Sequence, residues 1–173
     1  MDNHLHIRPA DGDDIVAISR IIDRAIRRGC AADHRNDPYL VDAWARSATP
    51  EQVRRWLAEP GACARLAILH GKPAGVGMAR AEGEISLCYV LPESSRRGVG
   101  LALMSELQDH LHERGCLAAW VGSTVTGRGF YRHLGYRETG PSHLRGGLLI
   151  TPMEKNLMRP AMGDWAMRLS ANV

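Results

Sequence analysis

The chain has 173 residues, 45% of them hydrophobic, with 22 lysines and arginines against 19 aspartates and glutamates for a formal net charge of +3. That is enough apolar material for one domain with a buried core, and the dispersed charge excess lacks the clustered basic patch that a nucleic-acid footprint needs. No apolar run approaches the roughly 20 residues of a membrane span, and the N-terminal MDNHLHIRPADGDD has no apolar leader, so a soluble cytoplasmic protein is expected.

In chain order, His6 to Arg8 opens a short strand. Asp11-Gly12-Asp13-Asp14 then supplies a cap and an acidic first turn for a helix carrying Ile15, Ile18, Ile22 and Ile26, which Gly29 ends. Pro38 and Pro50 mark the entries of two short helices, Tyr39 to Arg46 and Glu51 to Ala58, with Trp44, Val53, Trp56 and Leu57 as apolar anchors. Leu66 to His70 and Ala74 to Arg80 flank Gly71-Lys72-Pro73 as a hairpin. A third antiparallel strand, EISLCYVLP, alternates Ile85, Leu87, Tyr89 and Leu91 on one face with Glu84, Ser86, Cys88 and Val90 on the other.

The segment SRRGVGLALMSELQDHLHERG, from Ser95 to Gly115, places a basic glycine turn directly before an amphipathic helix. Leu101, Met104, Leu107 and Leu111 recur at helical spacing and Gly115 stops the helix. Gly98 and Gly100 clear side chains from the turn, so backbone N–H groups can converge on an anion at the positive end of the helix dipole, with Arg96 and Arg97 adding mobile charge. The turn fits neither the dinucleotide pattern G-x-G-x-x-G nor the lysine-bearing P-loop. A further apolar strand, Cys116 to Gly122, leads into STVTGRGFYRHLGY, where Phe130-Tyr131 precedes Gly135-Tyr136. Leu148 to Leu157 reads as a last strand pairing back toward Tyr136 to Glu138. In the tail from Met158 to Val173, Met162, Trp165 and Leu169 have helical spacing, suited to covering a neighbouring surface or the second subunit of a homodimer.

The glycine turn and the aromatic block together resemble the GNAT superfamily of acetyl-CoA-dependent N-acetyltransferases. In that family a (Gln/Arg)-x-x-Gly-x-(Gly/Ala) turn cradles the CoA pyrophosphate, and an Asn-x-x-Ala-x-x-(Phe/Leu)-Tyr-x-x-x-Gly-(Phe/Tyr) block flanks the pantetheine and thiol. Here Ser95 replaces the usual Gln or Arg, Thr124 the Asn and Gly127 the Ala; the last change lowers helix propensity by about 1 kcal/mol. The resemblance runs from Ile7 to Leu157, one domain spanning residues 1–157 with 158–173 as a tail. It implies an α/β fold, a mixed and mostly antiparallel twisted sheet with helices on both faces and acetyl-CoA between two splayed parallel strands. By the same resemblance Cys88, Tyr89 and Val90 hold the pantetheine through their backbone. Arg96, Arg97, Gly98, Val99, Gly100, Leu101 and Ala102 receive the pyrophosphate, and Thr124, Arg128 and Tyr131 flank the cofactor, with Arg128 and Arg132 in reach of the phosphates.

Acyl transfer to an amine needs a neutral amine and a proton for the departing thiolate. A lysine-like amine is neutral in only about one molecule in a thousand at pH 7, so a proton acceptor helps. Glu84 begins its strand at the spacing from the first turn glycine at which the histone acetyltransferase branch carries its general-base glutamate. A water chain with no single base is the alternative. Tyr131 resembles the tyrosine that protonates the CoA sulfur. The acceptor enters over the loop after the first helix, which makes Asp33, His34 and Trp44 acceptor-pocket candidates, with Cys30 structural. A small-molecule amine is favoured over a protein amine, since no strongly charged docking surface is evident. A non-catalytic acyl-CoA sensor or interaction module uses the same motif residues. The four cysteines, Cys30, Cys63, Cys88 and Cys116, form no C-x-x-C pair, and the i,i+2 pairs His4/His6 and His110/His112 lack neighbouring ligands, so free thiols and no metal are expected.

Overall fold

The computed structural model describes residues 4–158; the helical expectation for the tail lies outside them, apart from Met158. After β1 (Leu5–Pro9), Asp11 and Asp14 cap each other reciprocally, the Asp11 carboxylate accepting from the Asp13 N–H and Asp14 accepting from the Asp11 N–H. This starts a single 3-10 turn that runs into α1 (Ile15–Gly29), whose Ile18, Ile22 and Ile26 are buried. A bidentate Arg8–Asp14 pair, both contacts at 2.7 Å, ties β1 to this entry. Two more helices, α3 (Pro38–Ala45) and α4 (Pro50–Leu57), begin at the expected prolines behind the side-chain caps of Asp37 and Thr49. A short α2 (Ala31–His34), not anticipated, fills the space between α1 and α3.

The first sheet is antiparallel in the order β1-β2-β3-β4, with β2 (Cys63–Leu69), β3 (Lys72–Ala79) and β4 (Ile85–Val90). Its hairpin is tighter than the expected three-residue loop. Only His70 and Gly71 turn, both in the left-handed region at φ 51° and 74°, while Lys72 and Pro73 already belong to β3. The helix α5 (Val99–Glu113) lies across β3 at its glycines: a Cβ on Gly75 would come within 2.9 Å of Val99 and one on Gly77 within 2.8 Å of Leu107. This close approach fixes where the N-terminus of α5 points.

The second sheet contains β5 (Ala118–Ser123), β6 (Arg137–Glu138), β7 (His143–Arg145) and β8 (Leu148–Asn156), with α6 (Val125–His133) crossing from β5 to β6. β8 does pair with β6 as expected, but it is central, lying antiparallel between β5 and β6. It also forms an unanticipated hairpin with β7 through Gly146-Gly147, both at positive φ. The two sheets meet at a parallel bridge between Glu84 and Trp120, where the Trp120 N–H donates to the Gly83 carbonyl at 2.9 Å. Beyond that bridge β4 and β5 part. The fold is therefore the mixed, mostly antiparallel α/β architecture with a splayed parallel strand pair. Among the described residues no helix is long and apolar enough to cross a membrane.

Candidate active site

At the turn before α5 the groups on offer to a ligand are backbone N–H groups. Gly98 is the N-cap at φ 82° and contributes no capping side chain, so the N–H groups of the first helical turn lack an acceptor from their own helix. Those of Val99, Gly100 and Leu101 remain. The Ala102 N–H instead donates to the Gly98 carbonyl at 2.9 Å, which removes Ala102 from the expected anion cradle. Arg96 is also left-handed, at φ 60°, a feature that sequence reading missed. Val99 is 1% exposed and packs its side chain into the core, leaving only its N–H for a ligand. Gly100 is helical, and its smallness serves packing: a Cβ there would sit 3.2 Å from the Phe130 ring.

The turn opens into a cleft of about 490 Å³ between the end of α1, the free edge of β4 and α6. Cys88, Tyr89, Val90, Arg96, Gly98, Gly100 and Leu101, from the expected cofactor set, all line it. Arg97 does not. It faces a neighbouring groove with Arg24, His70 and Lys72. Arg128 is also elsewhere: its guanidinium donates to Thr151 Oγ1 at 2.7 Å and to Ser142 Oγ at 3.4 Å, against β8. Arg132 pairs with Glu138 on the second sheet. Both arginines expected at the phosphates are thus engaged in holding α6 to its neighbours. His133, which the sequence gave no reason to single out, lines the cleft with Phe130.

A second cavity of about 200 Å³ adjoins the first, and Cys30, Cys88, Tyr89, Thr126 and Gly127 line both, so the two communicate along β4 and the start of α6. Tyr131 and Glu84 stand in the second cavity together with Trp44. The Tyr131 ring meets Phe130 and Tyr136 edge-on at 5.4 and 5.6 Å, and burial pushes its phenol well above the ordinary tyrosine value. It stays protonated across the neutral range. Glu84 accepts from Arg80 Nη1 at 2.9 Å, and Arg80 also donates from Nε to Glu59 at 2.8 Å, the two carboxylates together holding the guanidinium charged. Thr124 lies in this cavity rather than the cofactor cleft, capping α6 through the Gly127 N–H at 3.4 Å.

The loop candidates separate. Trp44 reaches the second cavity. Asp33 accepts from the Thr126 N–H at 3.1 Å and so pins α2 to the start of α6. His34, 1% exposed, spends both ring nitrogens on the chain itself, Nε2 on the Ile26 carbonyl at 3.0 Å and Nδ1 on the Asn36 N–H at 3.1 Å. It is a brace for the loop, not a pocket residue. Cys30, expected to be only structural, forms part of both cavity walls. Its thiol is pushed up to about 12 by burial first and the Asp33 charge second, and burial raises Cys88 likewise to about 12, so neither is a thiolate near neutral pH.

Comparison with known proteins identifies the family. A sequence model described as acetyltransferase (GNAT) domain matches residues 30–157. No curated protein matches the chain. Among solved structures, a GCN5-related N-acetyltransferase from Rhodopseudomonas palustris superposes with a TM-score of 0.80 at 24% identity, over 90% of this chain and 98% of that one. The PaiA N-acetyltransferase of Thermoplasma acidophilum, solved with coenzyme A, gives 0.71 at 16% identity over 88% and 98%. YncA of Salmonella typhimurium, solved with its cofactor acetyl-CoA, gives 0.69 at 21% over 92% and 97%. At these identities the likeness is one of fold.

Proposed function

The chain belongs to the GNAT acetyltransferase family and is an acyltransferase, and from that premise we propose that it moves an acetyl group from acetyl-CoA to the primary amine of a small molecule by direct attack in a ternary complex. One observation carries the reading: two cavities meet along Cys88 and Tyr89, one opening on the glycine turn and the other holding Glu84 and Tyr131. The donor supplies an activated acyl thioester, and the residues do the rest. The N–H groups of Val99, Gly100 and Leu101 receive the pyrophosphate at the positive end of α5, with Arg96 beside them. The edge of β4 that faces away from β3 orients the pantetheine.

On the acceptor side Glu84 takes the proton from the incoming ammonium. Arg80 keeps its second carboxylate partner, Glu59, through that transfer, so its charge is never left alone. Tyr131, protonated and packed between Phe130 and Tyr136, gives its proton to the departing sulfur as the bond from sulfur to the acyl carbon breaks. Trp44 walls the acceptor cavity. Release of free thiol from acetyl-CoA, followed across a panel of amines and peptides, tests the reading. Amine-dependent release supports it. Tight acetyl-CoA binding without release for any amine replaces it with a non-catalytic acyl-CoA sensor.

A further inference from the structure

The turn before α5 separates two hollows. Ser95, Arg96 and Gly98 face the cofactor cleft, whereas their chain neighbours Ser94 and Arg97 face a second groove of about 510 Å³. On α1 the same division falls between Ala25, in the cleft, and Arg24, in the groove. The two hollows thus share a wall made by the turn itself, and a ligand seated at the turn lies at the rim of the groove.

The groove is basic. Arg24, Lys72 and Arg97 line it against one carboxylate, Glu93, which is already paired with Arg24 at 2.8 Å. Lys72 and Arg97 then remain as an excess of two positive charges, brought together from separate elements. The tight turn at His70 and Gly71 sets Lys72 at the start of β3, and the cofactor turn carries Arg97. CoA, for its part, bears phosphate in two places. The pyrophosphate, assigned above to the N–H groups of Val99, Gly100 and Leu101, is joined through C5′, C4′ and C3′ of the ribose to a phosphate monoester with a charge of about −1.5 to −2 near pH 7. The N–H groups of the turn answer the first of these. Among the described residues lining the cleft, Arg96 is the one arginine or lysine, which leaves the second phosphate to be answered from outside it.

We propose that the groove beside the turn holds the 3′-phosphate of CoA on Arg97 and Lys72, and that the chain thereby selects CoA over donors lacking that phosphate. This rests on the placement of the pyrophosphate at the turn and asks nothing of turnover. Arg97 offers a planar fork matched to two phosphate oxygens, and Lys72 adds a mobile point charge. The Arg24–Glu93 pair closes the groove without adding net charge.

The probes are CoA and dephospho-CoA, which differ in that phosphate alone, each titrated onto the intact protein by calorimetry and followed in thermal melts. CoA is expected to bind about 10-fold more tightly at low ionic strength, with the gap closing at about 0.5 M salt. Arg97→Gln and Lys72→Gln should each weaken CoA by about 3- to 10-fold and leave dephospho-CoA as it was, and the double variant should bind the two alike. Both side chains are exposed, so neither change endangers folding. Arg54→Gln on α4, which removes the same charge elsewhere, should keep the preference for CoA. Equal binding of the two probes by the parent overturns the proposal, as does an equal effect of the groove variants on both. So does a preference that survives the double variant and disappears in His133→Asn, since it would put the phosphate at the far side of the cleft. Inorganic phosphate that stabilises the protein equally with and without CoA would make the groove an independent anion site and overturn the link to the cofactor. If neither probe shifts the melt, the pyrophosphate placement falls with it, whereas a groove-dependent preference without amine-dependent thiol release upholds the site and replaces the enzyme by a sensor.

Discussion

The two cavities that meet along β4 are built by opposite means. The cleft assigned here to the cofactor is walled also by α1 and α6, but the groups offered to the ligand come from the backbone of one continuous stretch, Cys88 through Leu101, with its glycines and free N–H groups. The acceptor cavity is made of side chains drawn from α3, β4, α6 and the β7–β8 hairpin, which are distant in sequence. Backbone recognition tolerates exchange of the side chains around it but no added bulk, so one part of the molecule reads its ligand by shape and the other by charge and chemical type.

The sharpest way to break that contrast is to add bulk to the turn. Gly100→Val places two methyl groups against Phe130 and Val90, and the variant is expected to lose both activity and the stabilisation that acetyl-CoA gives, about 2.7 kcal/mol at 100 times its dissociation constant. Thermal melts with and without cofactor measure it. Adding Phe130→Ala should restore part of the shift, which a purely conformational requirement at Gly100 would not allow. On the acceptor side, Glu84→Gln keeps an acceptor for Arg80 but no base, and the rate near pH 7 should drop by about 10² to 10⁴ with the cofactor-induced melting shift intact. A rate equal to the parent at neutral pH would move the deprotonation to ordered water.

Tyr131→Phe comes next, with an expected loss of about 10² in the chemical step and unchanged cofactor binding. Its pH signature follows from burial. Since the folded phenol is raised above the ordinary value near 10, the parental rate should hold through pH 10 and decline only beyond it. The same sign applies to stability: Tyr89, Tyr131 and Tyr136 are all raised in the folded state, so the contribution of their neutral forms is complete below about pH 10 and is lost as the pH climbs from there toward the folded values. A melting temperature that stays level from pH 9 to 11 would contradict it. The smallest effect belongs to Arg128→Gln, which breaks the bond to Thr151 and should lower stability by about 1 kcal/mol while leaving the acetyl-CoA shift as it was.

How far each region could be read from the sequence follows from the same contrast. The glycine turn is local, so Gly98, its helix and the strand before it are visible in one contiguous window, and the proline and aspartate caps of α1, α3 and α4 are equally local. What escapes is whatever depends on partners far along the chain. Arg128 and Arg132 have the composition of phosphate ligands, but the direction they take is set by Thr151, Ser142 and Glu138. His34 has the chemistry of a pocket residue, yet α1 and its own loop claim both of its nitrogens. Trp44 reaches the cavity only because α3 packs on α1. The β7–β8 hairpin did leave a local trace in Gly146-Gly147, a strong two-residue turn signal that three-residue β7 is too short to reinforce by alternation.

The parting of β4 from β5 after a single bridge has a consequence for solubility. An unpaired strand edge is a template for the addition of another chain, and natural sheets blunt or cover such edges. Here the unpaired edge lines an open cleft, beside apolar Val90 and Phe130, and the pantetheine arm would occupy the place of the missing strand. A cofactor held there would act as a molecular stopper as well as a donor. Protein stripped of CoA should aggregate faster at equal fraction unfolded than protein kept loaded, because what has been uncovered is native β-edge.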